Sequence, residues 1–236
     1  MMISLDEARR LIASHVKPGD AVATPLAGAW GGILAEDVVA DALYPSADRS
    51  TMDGYVISGN ESPGIFTVTG EIMAGAIPTQ PLGKGEAMRI FTGALLPAGG
   101  GRVVMQEDVR REGDRIFVDA LSENPFVRRM GSEAKPGDVV LPKGSRLGAA
   151  ELAILAQVGA VSPVLVRRPI IRHIATGNEL VAPMEIPGPA EIRDTNSSLL
   201  AGLFKDLGLE LADSRRVSDD PATITEIAGS DWDLLL

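Results

Sequence analysis

The chain opens on a helical pattern, with Leu5, Ala8, Leu11 and Ile12 falling on one face among polar neighbours. Ser4-Leu5-Asp6-Glu7 reads as a capping box, in which the Ser4 oxygen takes an amide of the first turn and Glu7 reaches back to the cap. Lys17-Pro18-Gly19-Asp20 stops that helix. Thr24-Pro25 reads as a cap followed by proline at the first helical position. It opens a short helix near Leu26 that Gly28, Gly31 and Gly32 weaken, and residues 36–40 then read as extended. From Asp41 to about Asp138 short apolar runs at 54–57, 65–69, 87–91, 103–105 and 116–118 alternate with turns rich in glycine and proline. That spacing predicts a small all-β module, a barrel or a compact sandwich.

The pattern changes again beyond this module. A helix is predicted over 148–158 with Gly159 just past its end, then a strand at 164–166. Residues 170–175 form an apolar strand ending in Thr176-Gly177-Asn178-Glu179. Asn196 is expected to cap a helix running to Leu207 and closed by Gly208, and 209–217 to be strand. Asp219-Asp220-Pro221 opens a helix to about Ala228, and Asp233-Leu234-Leu235-Leu236 reads as a buried strand. The order β-α-β-α-β is the start of a doubly wound parallel sheet. Strands of that kind need neighbours on both sides, and this chain stops inside the third, so the expectation is a piece of a longer protein.

The fold class expected is therefore multi-domain, part α+β and part α/β. Residues 1–40 supply an N-terminal helix and the first part of an elongated mixed domain, and 139–166 its second part. The β-rich module, 41–138, is inserted between them. Residues 167–236 begin a doubly wound parallel α/β domain that is incomplete.

Composition narrows the chemistry. Among 236 residues there is no cysteine, so disulfides, thiolate metal sites and cysteine nucleophiles are excluded. With only His15 and His173, a multi-histidine metal site is excluded too, and a metal would sit among oxygen ligands, as Mg²⁺ does. His15 suits the last turn of the first helix, and His173, mid-strand in an apolar run, reads as a packed core residue. The net charge of −10 argues against nucleic acid and against an anionic membrane as partners. No apolar run approaches the ~18 residues that would span a bilayer, and the N-terminus does not resemble a secretory signal, so a cytoplasmic location is expected.

Candidate chemistry lies at the carboxyl ends of the parallel strands, where open α/β sheets bind ligands. Three segments sit there: Thr176-Gly177-Asn178-Glu179-Leu180, Arg193-Asp194-Thr195-Asn196 and Ser218-Asp219-Asp220-Pro221. Helix N-termini attract anions and carboxylates attract Mg²⁺, so a phosphorylated small molecule with a cation fits. Read singly, Asp194, Asn196, Asp219 and Asp220 are equally good as plain helix caps. In the β-rich module Asp53-Gly54 reads as a turn, Thr92 as a hydroxyl at a strand end and Arg128-Arg129 as either a phosphate patch or a solvated pair. There is no GxGxxG, Walker loop or GxSxG, and nothing that supports a nucleophilic triad.

Taken in order, Ser50-Thr51-Met52-Asp53-Gly54-Tyr55, Phe91-Thr92-Gly93-Ala94, Val103-Val104-Met105-Gln106-Glu107, Thr176-Gly177-Asn178-Glu179-Leu180, Asp194-Thr195-Asn196 and Asp219-Asp220-Pro221 resemble the motifs of the molybdopterin molybdenumtransferases, the MoeA family related to the E domain of gephyrin. The resemblance covers the whole chain. It implies an elongated multi-domain homodimer that inserts molybdate into adenylylated molybdopterin, with Mg²⁺, and releases AMP. It implies a site between the α/β domain of one subunit and the β-rich domain of the other, a small-molecule pterin substrate, and the molybdopterin adenylyltransferase as a possible partner. By the same resemblance Asp53, Thr92, Glu133, Glu179 and Asp219 are the catalytic positions, and Asp53, Glu179 and Asp219 the metal ligands. Thr176, Gly177, Asp194 and Asn196 contact the pterin ligand.

Two departures stand out. Family members carry Asp within Gly-Glu-Asp where this chain has Gly131-Ser132-Glu133, and Phe-Asp-Asn-Ser where it has Ala47-Asp48-Arg49-Ser50. The family's Ser-Gly-Gly-x-Ser-x-Gly loop, which binds the pterin phosphate, would follow Leu236, so the chain alone is expected to be inactive. The alternatives to an enzyme are a non-catalytic paralogue acting as a dimeric binding or scaffold protein, for which Glu133 and Arg49 speak, and a general phosphometabolite-binding α/β protein.

Overall fold

A computed structural model describes residues 3–229 and 231–236. They fall into two compact units: Val38–Leu141 is one, and the segments up to Asp37 and from Pro142 onward make the other. Helix α1 (Leu5–His15) begins where Ser4 Oγ accepts the Glu7 amide at 3.2 Å. His15 ends it with Nδ1 2.7 Å from Leu11 O, which suits the negative end of the helix dipole. The apolar face of α1 is exposed in the single chain, Leu5 and Ile12 being 66% and 62% accessible. Strand β1 (Ala21–Ala23) follows. Thr24 does not cap the next element, because its hydroxyl donates back to Val22 O at 3.3 Å. The element there is a single 3₁₀ turn, Leu26–Gly28, led by Pro25.

The unit 38–141 holds β2 (Val38–Val39), β3 (Arg49–Ser50), β4 (Gly54–Ile57), β5 (Gly64–Ile72) and β6 (Glu86–Ile90). It continues with β7 (Arg102–Met105), β8 (Val109–Glu112), β9 (Arg115–Val118), β10 (Val127–Arg128) and β11 (Val139–Leu141). Six of these pair in the order β7-β4-β6-β5-β9-β8, all antiparallel except β5 with β6. The sheet is buried on both faces. Tyr55 and Ile57 pack with Phe66, Val104 and Ile116 on one side, while Val56 packs with Ile72, Met88, Ile90 and Val103 on the other. That is why residues 54–57 read as a continuous apolar run rather than an alternating one. Strand β8, Val109-Arg110-Arg111-Glu112, escapes the apolar pattern because it is the sheet edge, where charge blocks further pairing. Its Arg110 lies over the Phe117 ring, 4.2 Å from the centroid. Strands β2 and β11 pair antiparallel with Val39 opposite Val139, so the chain enters and leaves this unit side by side.

The other unit has two parts. Helix α2 (Ala149–Gln157) and strand β12 (Val164–Val166) pack on the N-terminal segment, with Ala21 opposite Val166 and Leu34, Leu147 and Leu155 fully buried. Gly159, at φ +70°, turns the chain out of α2. The α/β part comprises β13 (Ile171–Thr176), β14 (Leu180–Val181), β15 (Ile192–Arg193), α3 (Asn196–Asp206), β16 (Leu211–Val217), α4 (Pro221–Ala228) and β17 (Leu234–Leu235). Strand β13 lies between β16 and β17, parallel to both. Asn196 is the first residue of α3 rather than its cap; Asp194 accepts the Ser197 amide instead, at 3.0 Å. Among the described residues no helix is long and apolar enough to cross a membrane.

Two consequences can be measured. Gly54 faces Ile90 and Met105 on its two neighbours, and a Cβ there would lie 2.0 Å from the Val104 carbonyl oxygen. Gly54→Ala is therefore expected to destabilise the β-rich unit by about 3 kcal/mol or more, read as a lower urea midpoint. Asp233 accepts from both Arg167 nitrogens, at 2.8 and 2.9 Å, and from the Ile170 amide at 2.7 Å. Arg167 first, then that amide, hold its carboxyl at about 2. A depressed folded value means that this stabilisation is complete above the unfolded-chain value of ~3.9 and is lost as pH falls through the folded one. Acid titration of stability should lose that component in Asp233→Asn.

Candidate functional site

In the β-rich unit the segment before β4 is drawn against the turn after β6. Ser50 N donates to Ala94 O at 3.0 Å and Gly93 N to Ser50 O at 2.8 Å. The Ser50 hydroxyl, 3% exposed, donates to Met52 O and so tightens the turn that leads to Asp53. Asp53-Gly54 is thus a bend feeding a strand whose first residue must lack a Cβ. Asp53 and Thr92, 39 residues apart, meet: the Thr92 amide and hydroxyl both donate to Asp53 Oδ1, each at 2.7 Å. The Thr92 amide, then its hydroxyl, hold the Asp53 carboxyl below the usual carboxylate range, and the Arg89 charge adds to this.

Arg89 is the residue that the sequence reading missed. Its guanidinium lies 5.2 Å from the Tyr55 ring centroid and 5.0 Å from that of Phe91. It donates to Gly54 O at 3.2 Å and to Gln106 Oε1 at 2.5 Å, while the Gln106 amide donates to Asp53 O at 3.2 Å. The available signal was an arginine between Met88 and Ile90 in an apolar strand, next to the Phe91-Thr92-Gly93 motif. Arg49 braces the same turn, donating to Gly93 O at 2.8 Å. Glu133 enters a different set of contacts: Arg128 donates to its Oε1 at 2.7 Å and its amide bonds Tyr44 O. Arg129 pairs with Asp48 at 2.6 Å, so both members of the Arg128-Arg129 pair are matched to carboxylates.

The α/β part supplies the second group. Thr176 ends β13, and Gly177, at φ +154°, leaves room for the Glu179 carboxylate; a Cβ there would meet Glu179 Oε2 at 2.7 Å. Asn178 Oδ1 accepts the Asp219 amide at 3.3 Å, which ties the loop after β13 to the loop after β16. Asp220, not Asp219, caps α4, accepting from the Thr223 amide at 3.0 Å and hydroxyl at 2.6 Å. Those bonds, the hydroxyl first, hold its carboxyl below the usual range.

A cleft of about 240 Å³ opens at the end of β13, lined by Thr176, Asp194, Asn196 and His173 among others. Asp194 is 7% exposed and accepts the Ser197 hydroxyl at 2.5 Å besides its amide. Burial alone would raise its carboxyl, but the Ser197 hydroxyl and amide, then His173 and Arg216, bring it below the ordinary value. The cleft thus gathers Thr176, Asp194 and Asn196, with Gly177 and Glu179 on the adjoining loop and Asp219 linked through Asn178. Asp53 and Thr92 belong to the other unit. Among the described residues no three of Asp, Glu, His or Cys come together as a metal site within one chain.

Comparison with known proteins bears on both groups. Residues 3–159 match the MoeA N-terminal region (domain I and II), and residues 172–233 match a probable molybdopterin binding domain. A molybdopterin molybdenumtransferase of Nostoc sp. is 38% identical over 204 residues, covering 83% of this chain and 47% of the relative. One from Staphylococcus aureus is 33% identical over 226 residues, covering 92% and 54%. The crystal structure of the molybdopterin biosynthesis moeA protein from Pyrococcus horikoshii OT3, 30% identical, superposes with a TM-score of 0.87 over 100% of this chain and 66% of that one. The chain spans about half the length of the curated relatives it matches. Since the N-terminal region alone accounts for well over half of its residues, the chain belongs to the MoeA family.

Proposed function

We propose that the protein to which these residues belong is a molybdopterin molybdenumtransferase, a cytoplasmic homodimer that inserts molybdate into adenylylated molybdopterin and releases AMP. The observation that carries this reading is the Asp53–Thr92 pair, a carboxylate fixed by an amide and a hydroxyl where two of the family-like motifs meet. Its bonds among the described residues all fall on Oδ1, so Oδ2 is the oxygen offered to a ligand. Held below the usual range, the group is ionised at neutral pH and acts as an acceptor or cation ligand rather than as an acid.

The cleft beside β13 takes the pterin substrate. Thr176, Asp194 and Asn196 give it polar walls. Glu179 and Asp219 stand on the two loops at the same sheet edge, where the phosphoanhydride would lie. Mg²⁺ suits a donor set made of carboxylate oxygens, and Asp53, Glu179 and Asp219 are the residues proposed to hold it. One chain does not gather three such groups among its described residues. By the resemblance, the ligands are assigned to the β-rich unit of one copy and the α/β unit of its partner. When bound, the ion supplies charge neutralisation at the phosphoanhydride. Glu133, braced by Arg128, is assigned by the resemblance to the catalytic set on the β-rich side.

In the whole protein Asp53→Ala and Glu179→Ala are each expected to lower molybdate insertion by about 100-fold or more, without a change in the unfolding transition. Reconstitution of a molybdenum-free molybdoenzyme measures this, and undiminished turnover in either variant removes that residue from the mechanism. Thr92→Val deletes one of the two bonds to Asp53 Oδ1 and keeps the amide. The Asp53 carboxyl should then titrate at higher pH than in the wild type, yet still below an unperturbed carboxylate, as read by carbon NMR of the side chain.

A further inference from the structure

We infer that His173 is a positioning residue for Asp194, acting through the Ser197 hydroxyl while held as the Nδ1–H tautomer. That role deepens the proposal that the cleft beside β13 is a ligand site. Residue 173 lies in the middle of β13 and is 5% exposed, where a histidine costs free energy unless its nitrogens are bonded. Nδ1 is 3.2 Å from the hydroxyl of Ser214, its register partner on β16, and 3.5 Å from the hydroxyl of Ser197 in the first turn of α3.

The direction of the proton follows from counting donors. Ser197 has one hydroxyl hydrogen, and it is given to Asp194 Oδ2 at 2.5 Å. Toward His173 the Ser197 oxygen can only accept. An unprotonated Nδ1 could accept from the Ser214 hydroxyl but would set its lone pair against the Ser197 oxygen, whereas an N–H at Nδ1 is attracted to both oxygens together. The ring proton therefore sits on Nδ1, although neutral imidazole in water favours Nε2. Donation from the ring polarises the Ser197 hydroxyl and strengthens its bond to Asp194. With the Ser197 amide on Oδ1 at 3.0 Å, both carboxylate oxygens are fixed by one residue, whose rotamer is fixed in turn by His173. The cationic group that faces this set from β16 is Arg216, and Arg193 stands beside Asp194 on the cleft wall. The wall so built is an oriented, ionised acceptor, which favours a ligand edge bearing N–H or O–H donors.

The test uses the 236-residue chain with nitrogen-labelled histidine and carbon-labelled aspartate, followed by NMR through a pH titration. The wild type should show Nδ1 protonated and Nε2 bare when the ring is neutral, and Asp194 titrating below an ordinary carboxylate. In His173→Val, a residue suited to a buried strand, the Asp194 midpoint should move up and the Ser197 amide should shift. His173→Asn, whose side-chain amide nitrogen reaches about the place of Nδ1, should restore both. A wild-type ring protonated on Nε2, or an Asp194 midpoint in His173→Val equal to the wild-type value, would overturn the inference. Should His173→Val fail to fold, the wild-type tautomer and an upward Asp194 shift in Ser197→Ala decide. No turnover enters these readings, so failure of the molybdenumtransferase proposal in an activity assay is a separate result.

Discussion

The β-rich unit depends on one close approach: Gly54 against the carbonyl of Val104, with no room for a side chain between them. That contact lets β4 sit between β6 and β7 with both faces covered, and so lets two apolar clusters share one sheet. It also places the preceding residue. Asp53 cannot join the ladder, because the chain bends there to enter it, and its carboxylate turns to the Thr92 amide and hydroxyl. Arg89 then has a defined task. Standing between Tyr55 and Phe91, it holds the carbonyl of Gly54 and, through Gln106, the peptide of Asp53 itself. A stacked guanidinium with two carbonyl-type acceptors is a site that lysine cannot reproduce.

The α/β part rests on a different constraint, the parallel register of β13 with β16. Thr176 lies opposite Val217, so both strands end level and their loops emerge at the same height. Asn178 can then reach the Asp219 amide across the gap. Strand β13 has neighbours on either side, and the crevice beyond the carboxyl end of such a strand is where a doubly wound sheet receives a ligand. The Asp194–Ser197 turn closes that opening from the side of α3.

How far the sequence anticipated this can be judged strand by strand. The apolar runs at 54–57, 87–91 and 103–105 announced themselves because their residues are buried on both faces. The charged edge strand β8 and the two-residue strands β3, β10, β14 and β15 did not, since too few side chains point inward to set a period. Caps were legible where one residue does the work, as at Ser4 and Asp220. They were misread at Thr24, whose hydroxyl donates back to Val22 O, and at Asn196, where Asp194 accepts the Ser197 amide instead. Asp53 and Thr92 could be named from their motifs, but their contact spans 39 positions and no local pattern encodes it. Arg89 and the bonds of His173 share that difficulty, for their meaning comes from partners on other strands.

The side-by-side entry and exit of the β-rich unit has a bearing on how the chain is made. Val39 and Val139 are paired neighbours, yet about a hundred residues separate them along the ribosome's product. At ordinary rates of translation that interval lasts roughly 5–20 s. Throughout it the segment before Asp37 is already made, while α2 and β12, whose Leu165 lies opposite Leu34, have not been synthesised. The inserted unit carries its complete set of strands and can close first. Once closed, it holds residues 38 and 141 together and so shortens the search by which the two halves of the interrupted unit find each other.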